Sequence, residues 1–272
     1  MRNRQDIDAP SGLLTSDQRY AAVDRACRAL LPRMSPEHFF SGKTAAALWR
    51  LPLPSSVPVL PLDVSGVAPR RAPRTPGVNA SRMQVDPRRD LTRFAGLPVT
   101  RPAETWAQLA TSLTTDELII VADALVGRRV LASVEELHRA AHRLRRVGVS
   151  RLDAAMKEVR TGSESPRETE TRLVLVRGGL PEPMLNWELR DADGSLVARL
   201  DMAFPHYRVC VEYDGRHHAE DPRQFARDAD RWDALLSAGW VNVRVLAHHY
   251  NDPRRLILDR ARAALLARGW QP

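Results

Sequence analysis

Two alternating runs that meet at a tight turn constrain this chain more than any other feature. Residues 195–204 read SLVARLDMAF and residues 208–215 read RVCVEYDG, with Pro205, His206 and Tyr207 between them. Alternation with a period of two predicts a β-strand in each run. A two-residue loop at His206 and Tyr207 pairs Pro205 with Arg208 and, in the same register, Asp201 with Glu212. Directly opposed side chains have Cβ atoms about 4.5–5.5 Å apart, so the hairpin brings two carboxylates together. Leu200, Met202, Phe204, Val209, Val211 and Tyr213 then share an apolar face, and Asp201, Glu212 and Asp214 share the other.

Three carboxylates on one face repel one another unless something positive sits among them. Mg²⁺ suits that place, because it takes hard oxygen ligands from one or two carboxylates together with water and phosphate; Mn²⁺ accepts the same donors. Asp201, Glu212 and Asp214 are therefore the predicted metal ligands. The alternative is a face open to water, where salt screens the repulsion. Gly215, His217 and His218 follow at the strand end. A histidine beside a metal-bound carboxylate set acts as a general base or holds a phosphate; otherwise the two are surface loop residues. Upstream, Ser165-Pro166-Arg167-Glu168 has the form of a capping box opening a helix that stops at Gly178-Gly179. Glu168 either only caps that helix or joins the acidic cluster. Downstream, Asp221-Pro222 starts a helix that stops at Gly239, residues 240–246 read as a buried strand with Arg244 projecting, and a last helix spans about 253–269. The predicted order is helix, strand, strand, helix, strand, helix.

The first half reads differently. Residues 16–34 show helical spacing after a Ser16 cap, and a short helix follows Ser41. Two such helices suit a helix-turn-helix or an ordinary packed pair. Short apolar runs from Pro52 to about Arg101 predict strands in VPVLPLDVS, GVNASRMQV and FAGLPVT. The intervening APRRAPRTPG is either an arm that touches a phosphate backbone or a solvated loop. Four helical segments fill 102–160 and read as structural, with the basic HRLRR stretch (142–146) as a solvated face. Ser41-Gly42-Lys43-Thr44 copies the end of a P-loop, but Glu37 stands where the loop needs glycine and no strand is predicted before it, so no nucleotide site is expected.

With 272 residues the chain is long enough for two domains, 1–160 and 163–272, joined at GSESP (162–166). Its formal charge is +8, and only Lys43 and Lys157 are lysines, so the basic charge is arginine. That balance favours a polyanion such as nucleic acid as partner. The start, MRNRQDIDAP, lacks an apolar signal core and no run of about 18 apolar residues occurs, which predicts a cytoplasmic protein without a membrane span. Cys27 and Cys210 have no nearby partner cysteine, which excludes a disulfide scaffold and a structural zinc site.

The run from Glu168 through Asp201 and Glu212-Tyr-Asp214-Gly-Arg-His217-His218 to Asp230-Arg231 and Gly239-Trp240-Val-Asn-Val-Arg244 resembles a widespread family of uncharacterised bacterial (actinobacterial-type) proteins. These are similar to the very-short-patch mismatch-repair endonucleases and have the PD-(D/E)XK restriction-endonuclease-like fold. The resemblance covers about residues 163–270 and rests on D-x10-E-x-D-G-x-x-H. It implies a mixed sheet flanked by helices and a Mg²⁺- or Mn²⁺-dependent DNA endonuclease. Asp201 matches the first acidic strand residue, Glu212 the acid of the (D/E)-x-K element, and Glu168 the helix glutamate. Asp214 stands in the place of the motif lysine, and no lysine follows Lys157, so that lysine's task falls to His217, His218 or an arginine, or goes undone. The N-terminal part resembles the AbiEi-type antitoxin proteins through HFFSGKTAAALWRLPLP, GLPVTRPAETWAQLA and DELIIVADALV. That implies a winged-helix-like remnant followed by a small α/β domain, with DNA and a toxin or other defence-system protein as partners. The expected class is α/β (α+β). Two functions stand open: a metal-dependent DNA endonuclease, or a non-catalytic DNA-binding, antitoxin-like regulator with a degenerate nuclease domain.

Overall fold

The computed structural model describes residues 15–69, 72, 75–143, 147–214 and 232–272. Local capping chemistry sets the helices of the first half. Thr15 with Gln18, Thr114 with Glu117 and Ser133 with Glu136 each close a reciprocal capping box, over α1 (Ser16–Leu30), α5 (Thr115–Val126) and α6 (Val134–His142). The first cap is thus one residue earlier than Ser16. Between α1 and α5 lie α2 (Gly42–Leu48), α3 (Pro87–Asp90) and α4 (Pro102–Gln108); α7 (Val149–Glu158) follows α6. Five strands, β1 (His38–Phe40), β2 (Leu62–Val67), β3 (Val78–Met83), β4 (Leu91–Phe94) and β5 (Leu97–Thr100), form a mixed sheet in the order β3-β2-β1-β5-β4. Trp106 on α4 is fully buried and satisfies its indole by donating to the Leu118 carbonyl at 2.9 Å.

One reading of this half is corrected. A strand, β1, does precede Ser41-Gly42-Lys43-Thr44, too short to leave an alternation signal. The amides that a P-loop would offer to phosphate are engaged: Gly42 N donates to Gln108 and Lys43 N to Asp63, both at 2.8 Å. All three arginines of APRRAPRTPG, and residues 144–146 of the basic stretch, lie outside the described residues.

The chain divides into two compact units, Met1–Arg160 and Thr161–Pro272. The second is built on α8 (Pro166–Arg177), β6 (Met184–Arg190), β7 (Leu196–Phe204), β8 (Val209–Tyr213), α9 (232–237), β9 (Val241–Val245) and α10 (Asp259–Ala267), with its sheet ordered β6-β7-β8-β9. β6–β7 and β7–β8 are antiparallel and β8–β9 is parallel. With two mixed sheets and helices in both units, the protein is α+β. β6 was not expected, because Asn186, Trp187 and the prolines before Met184 hide its alternation.

The β7–β8 register is the expected one: Met202 pairs with Val211, Ala203 with Cys210 and Phe204 with Val209. The turn between them is one 3-10 turn, Pro205–Tyr207, closed by Arg208 at φ +50°. Met202, Phe204, Val209, Val211, Val243 and Val245 pack in one core with Leu175 of α8 and Ala261 and Leu265 of α10. The face assignment of Leu200 is corrected. It packs in a second core, with Leu189, Ala198, Ala203, Cys210, Leu235 and Trp240. The change falls where the β6–β7 ladder pairs Leu185 with Met202 and Trp187 with Leu200 in one register but has no Asn186–Asp201 pair between them. Asn186 sits at φ +48°, a left-handed conformation that asparagine tolerates better than most residues. At that break the side chains on either side turn to opposite faces.

Among the described residues no helix is long and apolar enough to cross a membrane. Cys27 and Cys210 are both buried and neither forms a disulfide. Met202 is fully buried and Leu196 about half exposed on the same strand. Met202→Ala is therefore expected to lower stability by about 2–5 kcal/mol and Leu196→Ala by less than about 0.5 kcal/mol, read from urea midpoints at an unchanged slope.

Candidate active site

The break in the ladder is where the acidic residues gather. α8 starts at Ser165, whose hydroxyl accepts from the Glu168 amide at 3.2 Å, with Pro166 at the first helical position. The Glu168 carboxylate does not close the expected capping box. Its Oε2 accepts instead from the Glu164 amide at 2.8 Å and from Asn186 Nδ2 at 3.2 Å, and its Oε1 from the Ser165 hydroxyl at 2.9 Å. Glu168 is only 2% exposed. The Asn186 side-chain amide also donates to the Gly162 carbonyl, so it ties both Glu168 of α8 and the segment before that helix to β6. Gly162 itself stands at φ +101°, and a Cβ there would meet the Leu185 Cβ at 3.2 Å, so glycine is required at this crossing.

Asp201 lies across the break. The described pairing of β7 with β8 ends at Met202, and the next backbone donor of β8, Tyr213 N, bonds the Asp201 carboxylate at 3.1 Å. The side chain thus takes the place of a main-chain acceptor where the two strands fork. Burial and then the nearby charge of Asp201 push the Glu168 carboxyl up to about 7, and its three hydrogen bonds pull less strongly the other way. Near neutral pH the Glu168 carboxyl is therefore only partly ionised.

Glu212 is 6% exposed and one register step beyond the Met202–Val211 pair. Its Oε2 accepts from Asn242 Nδ2 at 2.8 Å, while Asn242 Oδ1 is buried with no hydrogen-bond partner. Asp214 is held elsewhere: Arg244 Nη2 reaches its Oδ2 at 2.5 Å, and the guanidinium lies 4.1 Å above the Trp232 ring. Thus the structure brings Glu168 to Asp201, ties Glu212 to Asn242, and pairs Asp214 with Arg244. His217 and His218 lie outside the described residues. Asn186 and Asn242 were missed by sequence reasoning. Asn186 sits in the unrecognised strand, whereas Asn242 alternates with Arg244 in VNVRV and was open to notice as a second polar side chain on an otherwise apolar strand.

Among the described residues no group of three or more His, Cys, Asp and Glu side chains is arranged to hold a metal ion. Mg²⁺ needs no more than one or two carboxylates, the rest of its shell being water and phosphate. The Glu168–Asp201 pair, with Glu212 on the next strand, fits that chemistry by its hard oxygen donors. Asp214 does not, because an arginine already neutralises it.

The chain is similar to two uncharacterised proteins of Mycobacterium tuberculosis, from two strains, each 30% identical over 181 residues. The match covers 64% of this chain and spans 66% of the length of those curated relatives. No family model matches the chain, and no solved structure matches it.

The raised Glu168 carboxyl makes a prediction about stability. Between about pH 4.5 and 7 the folded protein keeps a proton that the unfolded chain has released. The stability that proton contributes is full below about 4.5 and lost as pH rises through about 7. It amounts to about 3 kcal/mol at most. In chelator-treated buffer the wild-type melting temperature is expected to fall across that window relative to Glu168→Gln, which cannot ionise. Parallel curves for the two proteins would count against the shift.

Proposed function

We propose that the second unit is a metal-dependent nuclease domain that hydrolyses DNA phosphodiester bonds, with Mg²⁺ or Mn²⁺ as cofactor. The observation that carries this reading is a buried helix carboxylate, Glu168, held by Asn186 of β6 and close enough to the strand carboxylate Asp201 for its charge to raise the Glu168 carboxyl. Crowded carboxylates of that kind are costly without a cation. A bound divalent ion supplies charge neutralisation at the scissile phosphate and an activated water.

Each residue has a distinct task in this proposal. Asp201 and Glu212 hold the ion, and Glu168 completes the shell directly or through water. Ser165, the Glu164 amide and Asn186 hold the Glu168 carboxylate in one orientation. Arg244 brings a fixed positive charge from β9 to Asp214, the residue in the place of the motif lysine, and Trp232 keeps the guanidinium from swinging away. His217 or His218 takes the proton from the attacking water. The resemblance to the very-short-patch-repair endonucleases supports this reading, and the AbiEi-type resemblance of the first unit adds DNA and a toxin or other defence-system protein as partners.

A second reading, DNA binding without turnover, rests on the Asp214–Arg244 pair, since a guanidinium bound to a carboxylate is poorer at stabilising a phosphorane than a free lysine. Plasmid relaxation in Mg²⁺ or Mn²⁺ separates the two. Wild type is expected to cleave, and Asp201→Ala and Glu212→Ala to lose at least about 10²-fold in rate. Equal activity in all three proteins contradicts the proposal, and salt-sensitive binding with no cleavage by wild type favours the second reading.

A further inference from the structure

The first unit contains a cleft of about 310 Å³ that none of this chemistry uses. Separate elements bring arginines to it: Arg88 and Arg89 from α3, Arg101 from the residue before α4, and Arg139 and Arg143 from α6 and its C-terminal cap. Arg143 is anchored. Its guanidinium pairs with Asp90 and bonds Glu104 at 3.3 Å, and both acids are buried. The third acid of the lining, Glu136, accepts from the Ser133 amide in the α6 capping box. The remaining arginines differ. Arg88, Arg89, Arg101 and Arg139 are exposed, and among the described residues none of the four forms a salt bridge; Arg139 donates to the Glu135 carbonyl, and its charge also acts on the exposed Glu135 carboxylate.

Five guanidiniums thus face three carboxylates that are all engaged. Holding exposed like charges around one concavity raises the local positive potential and favours an anion there. Guanidinium matches phosphate in charge and in its forked donor geometry. Among the described residues no aromatic side chain lines the cleft, so none of them offers a ring on which a base could stack. The chemistry selects phosphates and ignores bases.

We infer that this cleft binds the phosphodiester backbone of duplex DNA without reading its sequence, through Arg88, Arg89, Arg101 and Arg139, with Arg143 fixed by Asp90 and Glu104 as the anchor. The inference deepens the DNA-binding part of the proposed function and rests on DNA being the ligand, but not on cleavage. It also revises the reading of residues 102–160 as purely structural. Arginines scattered from residue 88 to residue 143 leave no local sequence signal.

The test uses the full chain in chelator, with fluorescence anisotropy of a labelled duplex over a salt series. Arg88→Gln/Arg89→Gln/Arg101→Gln is expected to flatten the slope of log affinity against log salt by about 2–3, at about 0.9 for each lost phosphate contact, and equally for unrelated duplex sequences. The charge-matched Arg25→Gln/Arg33→Gln/Arg82→Gln, also at exposed positions, is expected to change it by less than about 1. Arg101→Gln alone, expected to remove about one unit, gives the same reading should a triple variant fail to fold. Equal slopes for the two triples, or an unchanged slope for the cleft triple, would overturn the inference. So would binding of inorganic phosphate that the cleft triple loses while duplex binding stays intact. Failure of plasmid cleavage with a cleft-dependent slope defeats the nuclease reading only, and cleavage with a cleft-independent slope defeats this inference only.

Discussion

The second unit carries one unfavourable charge interaction, between Glu168 and Asp201, whose partners are held by favourable hydrogen bonds. Glu168 and Asp201 bring two carboxylates together with one of them almost wholly removed from water. Left alone, such a pair would separate or protonate. It persists because each partner is tied to backbone: Glu168 accepts from the Glu164 amide, and Asp201 from the Tyr213 amide at the strand fork. Opening the pair would strand those donors, and an unsatisfied buried donor costs about 1–3 kcal/mol.

Around that contact the architecture has a consistent logic. Asn186 leaves the β6–β7 ladder in a left-handed conformation, and its amide reaches both Gly162 and Glu168. The same break turns Leu200 and Met202 into different cores, so the sheet is covered on both faces and the acidic site lies at the crossover between them. Backbone irregularity of this kind persists where surrounding structure over-determines it, and it marks functional sites more often than packing alone explains. Asn242, with one amide group on Glu212 and a buried oxygen left over, belongs to the same polar seam.

Much of this was legible in the sequence because short-range rules determine it. Alternation and turn length sufficed for the β7–β8 register from Met202–Val211 to Phe204–Val209, whereas the direct Asp201–Glu212 pairing that the same register implies is not part of the described ladder, which ends at Met202. Ser165 and Pro166 sufficed for the start of α8. What sequence could not supply were the features set by contacts distant along the chain. Glu168 looks like a capping-box residue, yet its carboxylate serves Glu164 and Asn186. Asp214 looks like a third ligand, yet Arg244, thirty residues later, claims it at 2.5 Å. The arginine cleft is invisible for the same reason, since its arginines converge only after α3, α4 and α6 have packed.

The central claim is that the Glu168–Asp201 pair is completed by a divalent cation. It is tested most directly by titrating Mn²⁺ or Mg²⁺ into the chelator-treated full chain by calorimetry near pH 7, in two buffers of different ionisation heat. Glu168 is partly protonated there, so binding should release a fraction of a proton, and that release should shrink as pH rises well above 7. Both the heat and the proton release should be lost in Asp201→Asn. A cation signal that survives Asp201→Asn unchanged, or no signal in the wild type, would contradict the account.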